Sequence, residues 1–391
     1  MKNKKGFILI TSYLLLSVLS IFSLALFSRS NVFLQATERN QNNMVAFNMA
    51  EAGLDTAIVT LRVNPAYTGT GGYVSMQTNT VQGGYQVTVT TPAQTPNGQP
   101  NVNAAIRQIT ATGFSPTNTV TDRAYETRTV TGYVSVAPPS LFDYAVFADK
   151  SIDINGNVEM DSYDTRVNQV YDSQTAGKKA DIGTNSTAAD TANFNGAVRI
   201  QGDGYYGAGG ALNVYDVGEN VQFSGTISGM TAPKELSPPE PTGTNLGTLR
   251  INDSYPLAAG EYRASSLKIT GSGQLVAEGP VKIYVSGEIT IEGKGIATSS
   301  DLPKNMLIYS TGDAEVKLGG GGKFFGGIYA PKSEVKIHGG NGVFGAIVSK
   351  KYKQVGESKV HFDEAMKDIK SSNTNQVSML SWTESNTSLG S

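Results

Sequence analysis

Residues 6–27 read GFILITSYLLLSVLSIFSLALF, and this stretch decides how the rest of the chain is organised. The 23 residues between Lys5 and Arg29 carry no charge, and at ~1.5 Å per residue they form about 35 Å of helix. That length is enough to cross a bilayer core of ~30 Å. Three lysines lie within the first five residues, and such charges stay on the cytoplasmic side. The remaining chain is therefore expected outside the inner membrane.

Three interpretations of this N-terminus compete. A secretory signal peptide has an apolar run of about 7–15 residues before a small-residue cleavage site. Here the run is longer, and no convincing Ala-x-Ala follows it. A plain, uncleaved signal anchor is the simplest alternative. The third interpretation rests on the junction itself, where the basic leader ends in Gly6 and the apolar run starts at once with Phe7.

Residues 4–10, KKGFILI, resemble the processing site of type IV pilins and type II secretion pseudopilins. The resemblance implies that a prepilin peptidase cuts between Gly6 and Phe7, and that the new terminal Phe7 is N-methylated. The fifth mature residue, commonly Glu in this family, is Thr11 here. A carboxylate at that position would pair with a neighbouring subunit's terminal amine, where an unpaired charge in apolar surroundings is costly. Its absence favours a minor or tip subunit over a major pilin.

The helix is predicted to continue beyond the membrane and to end near Val63, because Asn64 and Pro65 form a turn signal. Small residues follow one side of it at Ala46, Ala50, Gly53 and Ala57. Since small residues permit close approach, we assign them, together with Thr11, to packing against a globular head and against neighbouring stems in a filament. Residues 47–55, FNMAEAGLD, resemble the AEAGL segment of PilX-type N-termini. This resemblance covers about the first 62 residues.

Beyond the helix, alternating apolar and polar residues predict antiparallel strands at 84–90, 107–113 and 126–136. A long helix followed by such strands is an α+β arrangement, and it matches the pilin head in outline. The predicted order is a prepilin-type leader, a transmembrane and amphipathic helix, a pilin-like head, a repetitive β domain and a tail. Their bounds are 1–6, 7–62, 63–137, 138–369 and 370–391.

An internal repeat indicates the fold of the large β domain. Residues 315–320, EVKLGG, recur as EVKIHG at 334–339, and FGGI at 325–328 recurs as FGAI at 344–347, both at an offset of 19. Upstream, LKITG at 267–271 is echoed at an offset of 22. Repeats of about 20 residues with glycine corners are typical of a β-solenoid. A β-sandwich stays as the alternative, although it has no reason to repeat at a near-constant spacing.

Two segments are expected to interrupt or end this domain. Residues 232–241 contain four prolines, which cannot pair in a central strand, so they are predicted to form an excursion. Residues 363–369 are predicted to form a short helix that caps an open end. From about residue 260 onward the chain also resembles the domain that follows PilX-like N-termini in bacterial surface proteins. The matching segments are 303–309, 326–331, 344–347, 360–365 and 381–384.

Composition excludes several function classes. The net charge of −2 offers no basic field for nucleic acid, and zero cysteines exclude disulfides, thiol nucleophiles and Cys-based metal sites. Only two histidines are present. His338 is predicted to lie at a corner or on the surface, whereas His361 is predicted to hydrogen-bond Asp363 on the same strand face. No nucleophile motif accompanies them, so we expect no enzyme and no cofactor.

A weak calcium candidate lies on one predicted strand. Five oxygen-bearing residues alternate there: Asp153, Asn155, Asn157, Glu159 and Asp161. Calcium takes six to eight oxygen ligands, but a straight strand spreads these side chains over ~27 Å at ~3.3 Å per residue. A solvated outer face is the simpler interpretation. Exposed aromatics favour binding, and the tyrosines considered as contact residues are Tyr73, Tyr205, Tyr206, Tyr329 and Tyr352.

The predicted function is that of a minor pilin or pseudopilin-like subunit of a type IV pilus or type II secretion-like filament. Its β domain would be displayed for surface attachment or adhesion. Expected partners are other pilin subunits, the inner-membrane assembly machinery, the prepilin peptidase and surface glycans or cell surfaces. Expected localisation is a single inner-membrane pass with an exported C-terminus, followed by the pilus or cell surface. The alternative is an anchored ectodomain that binds or cleaves polysaccharide.

Overall fold

The computed structural model describes residues 4–77, 82–101, 105–122, 124–167, 170–340, 342–371 and 376–385, with only the backbone for residues 4–10 and 376. Residues 1–3 of the predicted leader and residues 372–375 and 386–391 of the predicted tail lie outside these ranges. The chain divides into two compact units. Unit one contains residues 1–138 and 373–391, and unit two contains residues 139–372.

Within the described ranges, unit one contains one long helix and five strands, and unit two contains twenty strands. Helix α1 is Lys4–Val63, followed by β1 Val74–Gln77, β2 Gln82–Thr90, β3 Ile106–Ser115 and β4 Glu126–Ala137. Unit two begins with β5 Val146–Tyr163, β6 Ile182–Thr184, β7 Ala192–Ile200, β8 Gly204–Tyr206, β9 Tyr215–Val217, β10 Val221–Phe223 and β11 Ile227–Gly229. It continues with β12 Thr244–Asn245, β13 Thr248–Ile251, β14 Ser254–Leu257, β15 Gly260–Ala264, β16 Ser266–Ile269, β17 Gln274–Ala277, β18 Val281–Val285 and β19 Ile289–Ile291. The last strands are β20 Gly295–Thr298, β21 Met306–Ser310, β22 Val316–Leu318, β23 Lys323–His338, β24 Gly342–Asp363 and, back in unit one, β25 Gln376–Ser385. Short 3-10 helices occupy Leu212–Val214, Pro303–Asn305 and Glu364–Asp368.

Helix α1 has two halves with opposite surroundings. Every residue from 11 to 41 is exposed, including the apolar ones, and this is the one described helix apolar enough to cross a membrane. From Ala46 to Leu61 one side is buried against the sheet of unit one. The predicted end at Val63 is confirmed. The exposed half of α1 is thus the half that is apolar enough to cross a membrane.

The sheet of unit one is antiparallel in the order β1-β2-β3-β4-β25. The three predicted strands are confirmed with slightly wider bounds. The predicted tail is wrong over its middle part, because Gln376–Ser385 forms β25 and pairs with β4. Trp382 of β25 packs edge-on against Phe47 of the helix, with 6.4 Å between ring centroids. The sequence signal was weak because none of the described side chains of β25 is buried.

Unit two is therefore an insertion between two paired strands of unit one, rather than a C-terminal domain. Its own ends lie together: Leu141 N–H donates to the Ile369 carbonyl at 2.9 Å, and Ser371 N–H donates to the Pro139 carbonyl at 2.9 Å. In unit one, Ala137 faces Gln376 across the β4–β25 pair. Local sequence could not reveal this pairing, because the whole of unit two lies between the two strands along the chain.

Unit two is mainly β, and its strands form three parallel ladders. The first runs β13-β16-β19-β22-β23-β24-β5-β7-β9, and the third runs β12-β15-β18-β21-β23-β24-β5-β6-β8-β11. The second starts β14-β17-β20-β23-β24 and leads by way of β5 and β7 to β10. The repeats found in sequence are register partners here, since Val316 faces Val335, Phe325 faces Phe344 and Leu267 faces Ile289.

Each ladder turns one side chain in two toward a shared apolar core. In the third ladder one inward position passes through six consecutive strands with side chains of nearly constant size. Its members are Ile283, Ile308, Ile328, Ile347, Val146 and Ile182. All six are fully buried, so aligned packing from strand to strand supplies the stability of a chain without disulfides.

The order of strands in the ladders differs from their order in the chain. The chain enters at β5, reaches one end at β11, passes to the other end at β12 and returns until β24 pairs with β5. The proline-rich excursion makes this passage as loop, in agreement with the prediction. Along the way Tyr329 O–H donates to the Ser237 carbonyl at 2.9 Å, and Arg263 Nε–H donates to the Gly243 carbonyl at 3.0 Å.

The prediction that residues 363–369 cap an open end of the β domain is wrong. Residues Glu364–Asp368 do form a short helix, but of the 3-10 type, and it follows a strand that has partners on both sides. Met366 is fully buried, and its side chain lies against Gly327 and near Phe142. The helix therefore covers a side of the ladders instead of an end.

One corner of unit two is a column of glycines with positive φ. Its members are Gly271, Gly293, Gly320, Gly339, Gly356, Gly156 and Gly196. At the join between the two halves of the unit, a Cβ on Gly156 would overlap the Gly356 carbonyl oxygen. Both the left-handed conformation and the close backbone approach therefore require glycine at this corner.

Deleting residues 139–372 should leave unit one folded, because Pro138 and residues 373–375 would then close β4 and β25 as a short hairpin loop. Trp382 is the single tryptophan in the chain, so its fluorescence reports the docking of β25 on the helix. We expect the emission maximum of the deletion variant to match that of the full chain. A shift to the emission of solvated tryptophan would contradict the insertion topology.

The variant Gly156→Ala should be more destabilising than Gly271→Ala. A Cβ at position 271 meets no atom within 4 Å, so the control carries only the conformational cost of about 1–2 kcal/mol. At position 156 the backbone must also move, so we expect at least about twice that loss. Urea unfolding followed by far-UV circular dichroism measures both, and equal losses would show that the close approach is not tight.

Candidate functional site

The candidate site is centred on a buried histidine–aspartate pair at the join of β24 and β5. His361 faces Asp161 in the parallel register, and their side chains are each 6% exposed. The Nδ1 atom of His361 lies 2.6 Å from Oδ1 of Asp161. A histidine–carboxylate bond was predicted, but the predicted partner was wrong. The partner comes from the first strand of unit two, which only the β24–β5 pairing brings near.

Asp363 has a different role. Its carboxylate accepts hydrogen bonds from the backbone N–H groups of Thr165 and Ala365, each at 3.1 Å, and from Thr165 Oγ1 at 2.8 Å. Burial raises the pKa of Asp363, although these donors act in the opposite direction. The residue caps the 3-10 helix and holds the loop that follows β5, so it belongs to the local structure.

Tyr171 completes the pair from that loop. Its hydroxyl donates to Oδ2 of Asp161 at 2.6 Å, and its ring covers the imidazole of His361 at 3.9 Å between centroids. Burial, followed by the hydrogen bond to Asp161, raises the pKa of Tyr171, so the hydroxyl stays a donor. An ionised carboxylate only accepts hydrogen bonds, so Nδ1 of His361 carries the proton. In the neutral ring Nε2 is then an acceptor.

Stacked phenylalanines continue this feature along the outer face of the second ladder. The rings of Phe344 and His361 are 4.7 Å apart, and the rings of Phe325 and Phe344 stack at 4.5 Å with 10° between their planes. Ala297 and Val276 occupy the same outward position on the next strands. An apolar strip therefore leads away from the histidine.

Two adjoining cavities follow this strip. One of about 450 Å³ is lined by the histidine and by Asn157, Glu159, Glu357, Lys359 and Phe344. The other, of about 490 Å³, is lined by Gln274, Lys294, Ile296, Ala297, Asp301 and Phe325. Both share Gly321 and Lys323, so together they form one feature, which we call the groove. Each volume falls in the range of ligand pockets, about 300–1,000 Å³.

Charges of both signs line the groove. Lys359 pairs with Glu159 at 2.8 Å, and Nζ of Lys323 lies 5.5 Å from the ring centroid of Phe344. Lys294, Asp301 and Glu357 add further charge at its edge. Because neither sign dominates, the groove has no strong field for a polyanion or for a polycation. It offers an apolar wall beside hydrogen-bonding groups.

The predicted calcium ligands do not come together. Asp153 pairs with Lys353 at 3.2 Å, Glu159 with Lys359, and Asp161 with His361. Asn155 and Asn157 lie between them along the same strand. Within the described ranges, no group of three or more metal-binding side chains occurs. The three carboxylates of the row are therefore each engaged by a cross-strand partner on β24.

The small residues of the helix lie where its lower half meets the sheet. Ala46, Ala50, Gly53 and Ala57 are all buried within unit one. A Cβ on Gly113 would overlap the Ala46 carbonyl oxygen, so helix and sheet are in direct backbone contact. The predicted packing of these four residues against the globular part of unit one is confirmed, and their packing against neighbouring stems stays a prediction. Thr11 lies on the exposed half.

Two of the tyrosines considered as contact residues are also internal. Tyr352 is 1% exposed and donates to Oε1 of Gln354 at 2.6 Å, and Tyr329 lies beneath the excursion. Burial raises the pKa of both hydroxyls. His338 is exposed at the strand end, as predicted. The sequence analysis did not predict Tyr171, Phe344 or Lys323 as residues of the site. The 19-residue repeat, which places Phe325 and Phe344 at equivalent positions, was the sequence signal that could have indicated the two stacked rings.

A family described as "Domain of unknown function (DUF7305)" matches residues 260–369. No curated protein matches the chain. Among solved structures, the chain is similar to the DUF3494 domain of an ice-binding protein from Shewanella frigidimarina, with 14% identity, 58% of this chain and 99% of that chain covered, and a TM-score of 0.35. It is similar to the competence-associated pilin ComZ from Thermus thermophilus, with 10% identity, coverage of 88% and 98%, and a TM-score of 0.29. A glycosylated ice-binding protein from Arctic yeast matches with 14% identity, coverage of 58% and 94%, and a TM-score of 0.32.

Replacing Asp161 with Ala should destabilise unit two, because His361 and Tyr171 would each lose their acceptor. We expect a loss of about 2–4 kcal/mol in the free energy of unfolding. Asp153→Ala on the same strand is the control, since its partially exposed pair with Lys353 is worth about 1 kcal/mol or less. Urea unfolding measures both, and a similar small loss in each would show that the buried pair does not hold β24 to β5.

Proposed function

We propose that the chain is a minor pilin or pseudopilin-like subunit with a PilX-type stem. The single observation that carries the proposal is the division of α1. The apolar side chains of its upper half are left uncovered by the described part of the chain, whereas its lower half packs on an antiparallel sheet. Exposed apolar area costs roughly 25 cal/mol per Å² in water, so this half needs a membrane or other helices around it.

The proposed life cycle has two stages. The apolar half first anchors the chain as a single inner-membrane pass with both units exported. A prepilin peptidase then cuts after Gly6, Phe7 is methylated, and the stem joins the stems of other pilin subunits through the assembly machinery. Thr11 replaces the usual glutamate, which supports a low-copy or tip position.

Unit two is, on this proposal, a β-solenoid that the filament displays for attachment to surfaces. The parallel register of the sequence repeats supports a coil of about 20 residues per turn. We propose a binding role without catalysis and without a cofactor. The His361–Asp161 pair is hydrogen-bonded on both carboxylate oxygens, which suits a fixed structural centre, and no nucleic acid is expected as a partner.

The groove favours a second candidate, an ectodomain that binds polysaccharide while its anchor stays uncleaved. The two candidates share the membrane helix and unit two. They differ in the fate of the first six residues and in whether the stem ever leaves the membrane. Both differences are measurable on the chain itself.

The mature protein should begin at Phe7 with a methylated amine, which intact-mass and peptide mass spectrometry would detect. The variant Gly6→Leu should retain Met1 and be lost from sheared filaments, because the peptidase would no longer accept the junction. Gly72→Leu is the matched control, since a Cβ at that position meets no atom within 4 Å.

Retention of Met1 in the unaltered chain, or cleavage near Ser28, would remove the basis of the pilin proposal. A stem that is processed but never recovered with filaments would contradict the assembly step alone. Retention of Met1 would favour the uncleaved ectodomain.

A further inference from the structure

We propose that the groove on the second ladder of unit two binds a neutral glycan chain that lies across the strands. The inference rests on the proposed role of unit two as the surface-binding part, and it adds a ligand class and a site. It follows from the length of the groove, the composition of its wall and the sign of its charges.

The length of the groove favours a polymer. Its lining residues come from β17, β20, β23, β24 and β5, which are consecutive in the ladders. Because β24 crosses this face twice, at Phe344 and again at His361, there are five strand spacings, and at ~4.8 Å each they give about 24 Å. A single small molecule fills one of the two cavities, whereas an extended chain can occupy both across the shared Gly321 and Lys323.

The wall of the groove suits the C–H face of a sugar ring. Ala297 and Phe325 line the cavity away from the histidine, and Phe344 supports Phe325 by stacking. Phe344 is 6% exposed, so it gives rigidity more than contact area. An apolar surface alone would attract many partners, so the polar edge must supply the selectivity.

The polar edge selects a neutral ligand. Glu159, Glu357 and Asp301 would repel a polyanion, while Lys294, Lys323 and Lys359 would repel a polycation. Hydroxyl groups both donate and accept, so they can pair with residues of either charge. A polyhydroxylated chain without net charge therefore satisfies both halves of the groove.

His361 fixes one end of the site. Asp161 and Tyr171 hold the ring so that Nδ1 is occupied, and the side chain lines the cavity. The Nε2 atom takes part in neither of these contacts, and it can form a hydrogen bond with a sugar hydroxyl, which both donates and accepts. His361 thereby becomes a specificity residue of the groove as well as a structural one.

The charged face of the first ladder is a weaker candidate for a ligand site. A cation recurs at one outward position on several strands, in Arg250, Lys268, Lys317, Lys336 and Lys353. Glu315 pairs with both Lys317 and Lys336, and Asp153 pairs with Lys353. These pairs offset the charge of three of the five cations, and we use this face for control substitutions.

The full chain, purified in a detergent without a sugar head group, should be titrated with chitohexaose and with cellohexaose by calorimetry, and with heparin as a polyanion. We expect at least one neutral hexasaccharide to bind and heparin to bind at least tenfold more weakly. Lys323→Ala and Lys294→Ala should each weaken saccharide binding several-fold. Lys268→Ala, an exposed cation on the other face, should leave it unchanged.

The variant His361→Asn distinguishes the structural role of His361, its bond to Asp161, from its contact with the saccharide. The amide keeps an N–H donor near the place of Nδ1, so the bond to Asp161 is retained while Nε2 is lost. We expect a thermal melt close to that of the unaltered chain and at least a fivefold loss of saccharide affinity. An unchanged affinity would overturn the role of His361 in the groove.

Three further outcomes would overturn the proposal. They are absence of saccharide binding by a chain with an intact circular dichroism spectrum, stronger binding of heparin, and release of shorter saccharides during incubation. Each is observed on unassembled protein. Failure here therefore leaves the N-terminal mass of the mature chain, and with it the pilin proposal, untouched.

Discussion

The parallel pairing of β24 with β5 is the constraint on which unit two depends. It joins the last strand of the unit to its first, aligns Gly356 with Gly156 at the corner and sets His361 opposite Asp161. Because both termini of the unit meet at this pairing, it closes the ladders in their middle and leaves their two ends to β11 and β12. Long-range parallel pairing costs much chain entropy, so it requires well-matched side chains over many positions.

The side chains of β24 and β5 match in their pattern along the two strands. Both alternate apolar and polar residues around a central glycine, and the outward polar positions carry opposite charges. Lys353 meets Asp153, and Lys359 meets Glu159. The exposed pairs are worth little individually, yet a register shifted by one residue would turn every apolar side chain outward. The core therefore fixes the register, and the charges agree with it.

The insertion of unit two between β4 and β25 relates the two units along the chain. The end of β4 and the start of β25 are neighbours in unit one, and the two termini of unit two are neighbours in unit two. Unit two can therefore be inserted between the two strands without disrupting their pairing. This arrangement allows the long helix and sheet of unit one to carry a large β unit without any change in that sheet. The proposed display role of unit two is compatible with its insertion between two adjacent strands.

Local pattern in the sequence was enough for the long helix and its end at Val63, the three antiparallel strands, the internal repeats and the proline-rich excursion. These features depend on short-range spacing, on turn residues and on apolar periodicity, which any stretch of chain displays by itself. Only the tertiary structure decided the strand order of unit two, the place of β25 and the partner of His361. Those depend on contacts between residues that are far apart in the chain, and complementary side chains at such separations leave no local signal.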